Sequence, residues 1–155
     1  MTDTEVLSIS ERLYSTINSL LFNGTLPEVV IKLENDNSQY VGKAGYDIDT
    51  VIKRLDEIQK RGEATTDLRC VLSITRIHIL DDYLSTLIAL TDTILHEAVH
   101  YADIDGIGHG GSFKQLATAH GLEIVTDEKG NYIDTRIKAD TAIAILKASG
   151  LIKRK

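Results

Sequence analysis

The sequence predicts a single α+β domain, and three observations carry that reading. The chain has 155 residues, about one domain's worth of polymer. Hydrophobic residues make up 43% of it, enough to build a core and too many for a globally disordered chain. Blocks with apolar residues at helical spacing are interspersed with short β-branched runs. No internal repeat and no Gly/Ser/Pro-rich linker divides them, so residues 1–155 are read as one domain.

The elements follow in order. Ser8-x-x-Glu11 has the form of a capping box, and Ile9, Leu13, Ile17, Leu20 and Leu21 recur at helical spacing, which predicts an opening helix. Asn23-Gly24 ends it, and the sole proline, Pro27, leads into a strand-like Val29-Val30-Ile31-Lys32-Leu33. A second strand is expected over Tyr40 to Tyr46. Residues 48–61 return to a helical period through Ile48, Val51, Ile52, Leu55 and Ile58, and Gly62 stops them. Arg69 to Ile77 alternates as a strand should. From Tyr83 to Ile104 runs the longest helical pattern, with Leu84, Leu87, Ile88, Thr91, Leu95, Ala98 and Ala102 as its expected buried stripe. A glycine-rich break follows, then a short helix that Ser112-x-x-Gln115 is expected to cap and His120-Gly121 to end. A hairpin turning at Glu128-Lys129-Gly130-Asn131 and a helix over Thr141 to Ala148 complete the chain.

Composition narrows the function classes. Aliphatic runs such as Leu87–Leu90 fall far short of the roughly 20 residues that a membrane span requires. The N-terminus lacks the basic start and apolar stretch of a secretory signal. The single cysteine, Cys70, has no intramolecular partner and reads as a reduced thiol in the core. A cytoplasmic protein without membrane partners is the expectation. Seventeen basic residues against 23 acidic ones give a net charge of −6, which argues against a surface built to hold phosphates.

One constellation carries chemistry: His96-Glu97-Ala98-Val99-His100, an H-E-x-x-H within the long helical pattern. Positions i and i+4 share a helix face, so both imidazoles can reach one metal ion while Glu97 stands beside it as a base. Zinc suits imidazole ligands, and a catalytic zinc takes three protein ligands. The third could come from His78, His109, His120, Asp103, Asp105 or Glu123. The metzincin spacing is excluded, because Asp103 and Gly106 stand where it needs glycine and histidine. His109 is favoured, since its loop holds four glycines and can fold back sharply toward the helix; Glu123 is second. Asp92 and Asp103 could orient the imidazoles or simply be solvated. Phe113 is expected to pack beneath the metal loop.

His96-Glu97-x-x-His100, followed by Gly108-His109-Gly110-x-x-Phe113-Lys114, resembles the SprT/Spartan-type zinc metalloproteases, whose pattern is H-E-x-x-H and then a glycine-rich H-G-x-x-F. Upstream, Leu21-Phe22-Asn23-Gly24-x-Leu26-Pro27 between an opening helix and a strand is similar to the start of that family. The resemblance covers about residues 10–120 and leaves the hairpin and helix of 122–150 outside it. It implies a small zincin-like (minigluzincin-type) fold, a short antiparallel sheet packed on the H-E-x-x-H helix and flanking helices. It also implies zinc held by His96, His100 and His109, with Glu97 as general base. Members of the family often carry a cysteine zinc ribbon or DNA- and partner-binding tails; these 155 residues contain neither, and segment 48–61 looks like an insertion.

The expected activity is hydrolysis of peptide bonds in protein substrates by a zinc-bound water that Glu97 activates. Tyr46, Arg76, His78 and Tyr101 are candidate oxyanion donors, and the strand at 69–77 is the expected host for an extended substrate. Two other readings stand beside this one: a DNA-associated repair protease, and a zinc-stabilised binding module without turnover. Residues 76–110 hold Arg76 against Asp81, Asp82, Asp92, Glu97, Asp103 and Asp105, a balance that repels a phosphate backbone. DNA affinity is therefore expected to stay at the non-specific level, with a dissociation constant of about 10⁻⁴–10⁻⁶ M near physiological salt. A fluorescence titration at about 150 mM salt checks this, and sub-micromolar binding would restore the repair reading.

Overall fold

The computed structural model describes residues 2–34, 42–44, 70–75, 82–103 and 109–153. Its elements in chain order are α1 (Asp3–Leu21), β1 (Val29–Glu34), β2 (Gly42–Ala44), β3 (Cys70–Thr75), α2 (Tyr83–Ala102), α3 (Gly111–Ala119), β4 (Leu122–Thr126), β5 (Tyr132–Ile137) and α4 (Ala139–Ala148). The helical period expected for 48–61 lies outside the described residues, as do Asp81 and Asp105.

α1 starts earlier than Ser8-x-x-Glu11 suggests. Thr2 and Glu5 form the capping box instead: Glu5 N–H donates to Thr2 Oγ1 at 3.1 Å, and Glu5 Oε1 accepts from the Thr2 N–H at 3.4 Å. Ser8 and Glu11 therefore sit inside the helix. Asn23 and Gly24 end it as expected, both at positive φ, and Gly24 N–H returns to Asn18 O at 2.9 Å. The Asn18 side chain then accepts from Leu26 N–H at 2.9 Å, steering the chain past Pro27 into β1.

The sheet differs from the antiparallel one that the resemblance implies. β3 lies in the middle, with β1 parallel on one side and β2 antiparallel on the other. The sequence makes segment 69–77 the expected host for an extended substrate; in the structure β3 is paired with β1 along Cys70–Thr75 and with β2 at Leu72–Ile74, so its middle is not a free edge. A separate antiparallel hairpin, β4–β5, turns at Asp127–Asn131.

α2 is the spine, and it packs against α1, α3, α4, β2 and β5. Asp82 caps it by accepting from Ser85 N–H at 3.0 Å. Its buried face runs through Leu87, Leu90, Thr91, Ile94, Leu95, Ala98, Val99 and Tyr101. The expected stripe is thus rotated: Leu84 and Ile88 are 50% and 42% exposed. With partners on several sides, α2 buries more than one stripe, and a single-face pattern cannot locate its outer edge. Leu13 and Ile17 of α1, Leu72 and Ile74 of β3, and Ile145 of α4 complete the core, each contributing about 1.5–3 kcal/mol by leaving water. Among the described residues no helix is long and apolar enough to cross a membrane.

α3 is capped by Gly110 without a side-chain bond. Ser112, expected to cap it, donates instead to Asp103 Oδ2 at 3.2 Å, since it falls inside the first turn rather than before it. α3 ends at His120, after which Gly121 adopts φ +94° beside Thr141. A Cβ at Gly121 would overlap the Thr141 side chain, approaching its Cβ to 2.8 Å, whereas Gly130, at φ +82°, has open space around it. Gly121→Ala is therefore expected to cost more than Gly130→Ala, which carries only the backbone penalty of about 1 kcal/mol. Urea denaturation of the two variants checks the order.

Candidate metal centre

His96 and His100 lie one turn apart on α2, and His109, just before α3, lies against them. The three Nε2 atoms form a triangle: His96 to His109 is 3.1 Å, His100 to His109 is 3.2 Å, and His96 to His100 is 3.3 Å. Among the described residues, these three form the group that could hold a metal ion. A neutral imidazole nitrogen either carries a proton or presents a lone pair. With two states and three corners, two corners always match, so no distribution of ring protons satisfies every edge. One cation at the centre satisfies all three. Tetrahedral zinc with bonds of about 2.0–2.1 Å places its nitrogens about 3.3–3.4 Å apart, close to the edges seen here.

Phe113, fully buried at the start of α3, forms the floor. Its ring centroid lies 5.1, 4.3 and 4.8 Å from those of His96, His100 and His109, as expected of it. Tyr132 of β5 stacks on His109 at 4.4 Å with the rings 14° apart, and the buried Thr135 lies 2.6 Å from His96 Nδ1 through its Oγ1. Burial, then the neighbouring His100 and His109, pushes His96 down to about 3. Burial and His109 push His100 down to about 4, against the pull of Asp103; burial also lowers His109. All three rings are thus neutral at physiological pH, the form that binds metal.

Glu97 follows His96 and is only 4% exposed. Its charge is felt at Tyr132, whose hydroxyl is held above its ordinary pKa by burial, Asp134, Glu97 and Asp92. Glu97 thus lies within electrostatic range of Tyr132, the ring that stacks on His109. Asp103, buried at the end of α2, takes the Ser112 hydroxyl and lies near enough to His100 to act on it.

The remaining candidates fall elsewhere. Glu123 is exposed on β4 and pairs with Arg136 at 3.1 Å, so the second choice for third ligand is not in the cluster; the outward side of β4 carries it. His120 caps α3, with Nδ1 2.7 Å from Leu116 O and its ring stacked on Phe22. Tyr101 is buried and packs edge-on against Tyr14. His78, Asp105, Tyr46, Arg76 and the Cys70 side chain lie outside the described residues. Thr135 and Tyr132 were not singled out from sequence: both are ordinary strand residues, and no spacing rule links them to residues 96 and 109.

Asp92, half-buried, makes its hydrogen bond to the hairpin backbone rather than to the imidazoles. Its Oδ1 accepts from Ile137 N–H at 2.8 Å, fastening β5 to α2. Compared with known proteins, the chain matches no family model, no curated protein and no solved structure.

Burial raises the Asp92 carboxyl to about 6, with Asp134 adding to it and the Ile137 N–H and Arg136 opposing. The folded chain then holds a proton that the unfolded chain releases near 3.8, so this stabilisation is full below about pH 4 and lost as pH rises through about 6. The difference is worth at most about 3 kcal/mol, and partial exposure trims it toward about 1–2. Asp92→Asn keeps the acceptor and carries no charge. It is expected to be more stable than the wild type at pH 7.5 and equal to it at pH 4, as read by chemical denaturation at both pH values.

Proposed function

We propose that the chain is a zinc-dependent metallopeptidase, a compact SprT-like domain of the small zincin (minigluzincin-type) kind that hydrolyses peptide bonds in protein substrates. The observation that carries this reading is the convergence of the three Nε2 atoms beside a buried glutamate supplied by the same helix turn. A purely structural zinc site is closed by four ligands and needs no base; here three nitrogens converge and Glu97 stands next to them. A single cysteine suits a reducing compartment, and cytoplasmic residence is part of the proposal.

His96, His100 and His109 would hold the ion through Nε2. Bound there, zinc supplies Lewis acidity, lowering the pKa of a water toward about 7 and polarising a carbonyl. The Glu97 carboxylate accepts the proton of the attacking water and passes it to the leaving amine nitrogen. Its burial keeps that carboxylate out of bulk solvent, so its proton exchanges with the reacting groups rather than with the medium. Phe113 fixes all three rings from below, and Tyr132 covers His109 from the side. Tyr132, partly exposed beside His109, would restrict the positions that a peptide carbonyl can take.

The purified chain is expected to hold about one zinc, and to lose it on substitution of His96, His100 or His109 by Ala, measured by elemental analysis. Glu97→Gln should retain zinc and fold while hydrolysis of unfolded protein substrates falls by about 10²–10⁴-fold. Full activity in zinc-loaded Glu97→Gln would remove the general-base role, and a zinc-loaded wild type without hydrolysis would leave a binding module.

A further inference from the structure

Three features outside the proposed catalytic set invite an inference: Tyr132 stacked on His109, the exposed Leu84 and Ile88 on α2, and the contact between Thr135 and His96. The last goes furthest, because it has both a defined atom pair and a defined chemical consequence. His96 has two ring nitrogens. Nε2 faces His100 and His109, and Nδ1 faces Thr135 Oγ1 at 2.6 Å. Thr135 is 4% exposed, so no bulk water competes for that nitrogen.

We propose that Thr135 is a positioning residue of the metal centre: its hydroxyl oxygen accepts a hydrogen bond from His96 Nδ1–H, which fixes the tautomer whose Nε2 lone pair points at the ion. This rests on the metal site of the preceding reading and extends it to the C-terminal hairpin, beyond the residues that carry the H-E-x-x-H and H-G-x-x-F pattern. A ligating imidazole is oriented by whatever takes its other ring N–H, and loss of that partner typically weakens metal binding by about 10–100-fold.

The fold supplies the means to hold Thr135 there. Asp92 and His96 are one turn apart on α2, a rise of about 6 Å. Their partners, Ile137 N–H and Thr135 Oγ1, are two residues apart on β5, about 6.6–6.8 Å. The two spacings agree, and the pairs 92–137 and 96–135 run in opposite senses along the two elements, as a strand laid antiparallel on a helix requires. The bond from Asp92 thereby sets the register in which Thr135 meets His96. Within β5, Thr135 pairs with Ile124 of β4, and its own N–H donates to Asp134 Oδ1 at 2.7 Å, so its backbone is held on both sides.

The test compares Thr135→Val, which keeps the β-branched shape and removes the hydroxyl, with Thr135→Ser, which keeps the hydroxyl and removes the methyl. Zinc affinity is read at pH 7.5 by competition with a chromophoric chelator. The expected result is a 10–100-fold loss in Thr135→Val and an affinity within about threefold of wild type in Thr135→Ser. Equal affinity in Thr135→Val and wild type would overturn the assignment, as would equal losses in the two variants, which would make the role one of packing. Nitrogen-15 NMR of the zinc-loaded wild type gives a second reading that needs no variant to fold. His96 should show a protonated Nδ1 and a metal-bound Nε2, and the reverse assignment would overturn the proposal. Both readouts concern metal affinity and ring protonation, so a loss of hydrolysis alone speaks against the peptidase and not against Thr135.

Discussion

Three neutral imidazole nitrogens held 3.1–3.3 Å apart make an arrangement that the polypeptide alone cannot satisfy, because at least one pair must face proton to proton or lone pair to lone pair. The rings hold that arrangement because each is trapped by packing rather than by its own hydrogen bonds to the others. Phe113 lies under all three, α2 fixes the separation of His96 and His100, and Tyr132 stacks on His109. Burial also removes protonation as a way out, since it holds His96 and His100 neutral far below the usual histidine range. A site with its ligands prearranged and deprotonated has little reorganisation left when a cation binds. The energy of binding is then realised as stability of the folded chain.

The rest of the fold can be ordered by its distance from that triangle. α2 must be straight and immobile over the turn from His96 to His100, and it is buried on several sides by α1, α3, α4 and the sheet. The sheet contributes Leu72 and Ile74 to the core, and at those residues its middle strand is paired on both sides, so it serves as a back wall. The hairpin does a different task. It packs Leu122, Ile124 and Ile137 against the core and also meets α2 through polar bonds at Asp92 and His96, and such bonds fix register more than they add stability. Apolar residues hold helix and hairpin together, and the polar pair at Thr135 bears on how the His96 ring points.

Legibility in the sequence follows the range of the interaction. The H-E-x-x-H spacing is a local property of one helix, so His96, His100 and Glu97 could be read directly, and the glycines around His109 announced a sharp return. The ends of α1 and α3 are readable from Asn23-Gly24 and His120-Gly121, where Asn23, Gly24 and Gly121 take up positive φ. The start of α1 is not legible locally, because Ser8-x-x-Glu11 and Thr2-x-x-Glu5 have the same form and the one that closes is Thr2-x-x-Glu5. The same holds for Ser112, whose hydroxyl goes to Asp103. Strand pairing is non-local, so the parallel partnership of β1 and β3 had no signal in either strand. Leu84 and Ile88 fit the apolar stripe of α2 by spacing and still face outward, because hydrophobic residues on a surface are common and periodicity does not exclude them.

Thr135 marks where such reading stops. A threonine in a strand is favoured by its shape alone, so nothing in its type or spacing distinguishes a ring-orienting hydroxyl from an ordinary strand residue. Its significance comes from Asp92, forty-three positions earlier, which fastens Ile137 and so brings Oγ1 to His96. That fastening carries a cost, since burial leaves the Asp92 carboxyl near 6 and therefore charged and partly desolvated at neutral pH. An apolar residue at 92 would avoid that cost but leave the Ile137 N–H without its acceptor and the hairpin without its register. The destabilising carboxylate thus belongs with the histidine cluster, although it touches none of the three imidazoles. Stability is given up at one end of a helix turn while the His96 ring is held at the other.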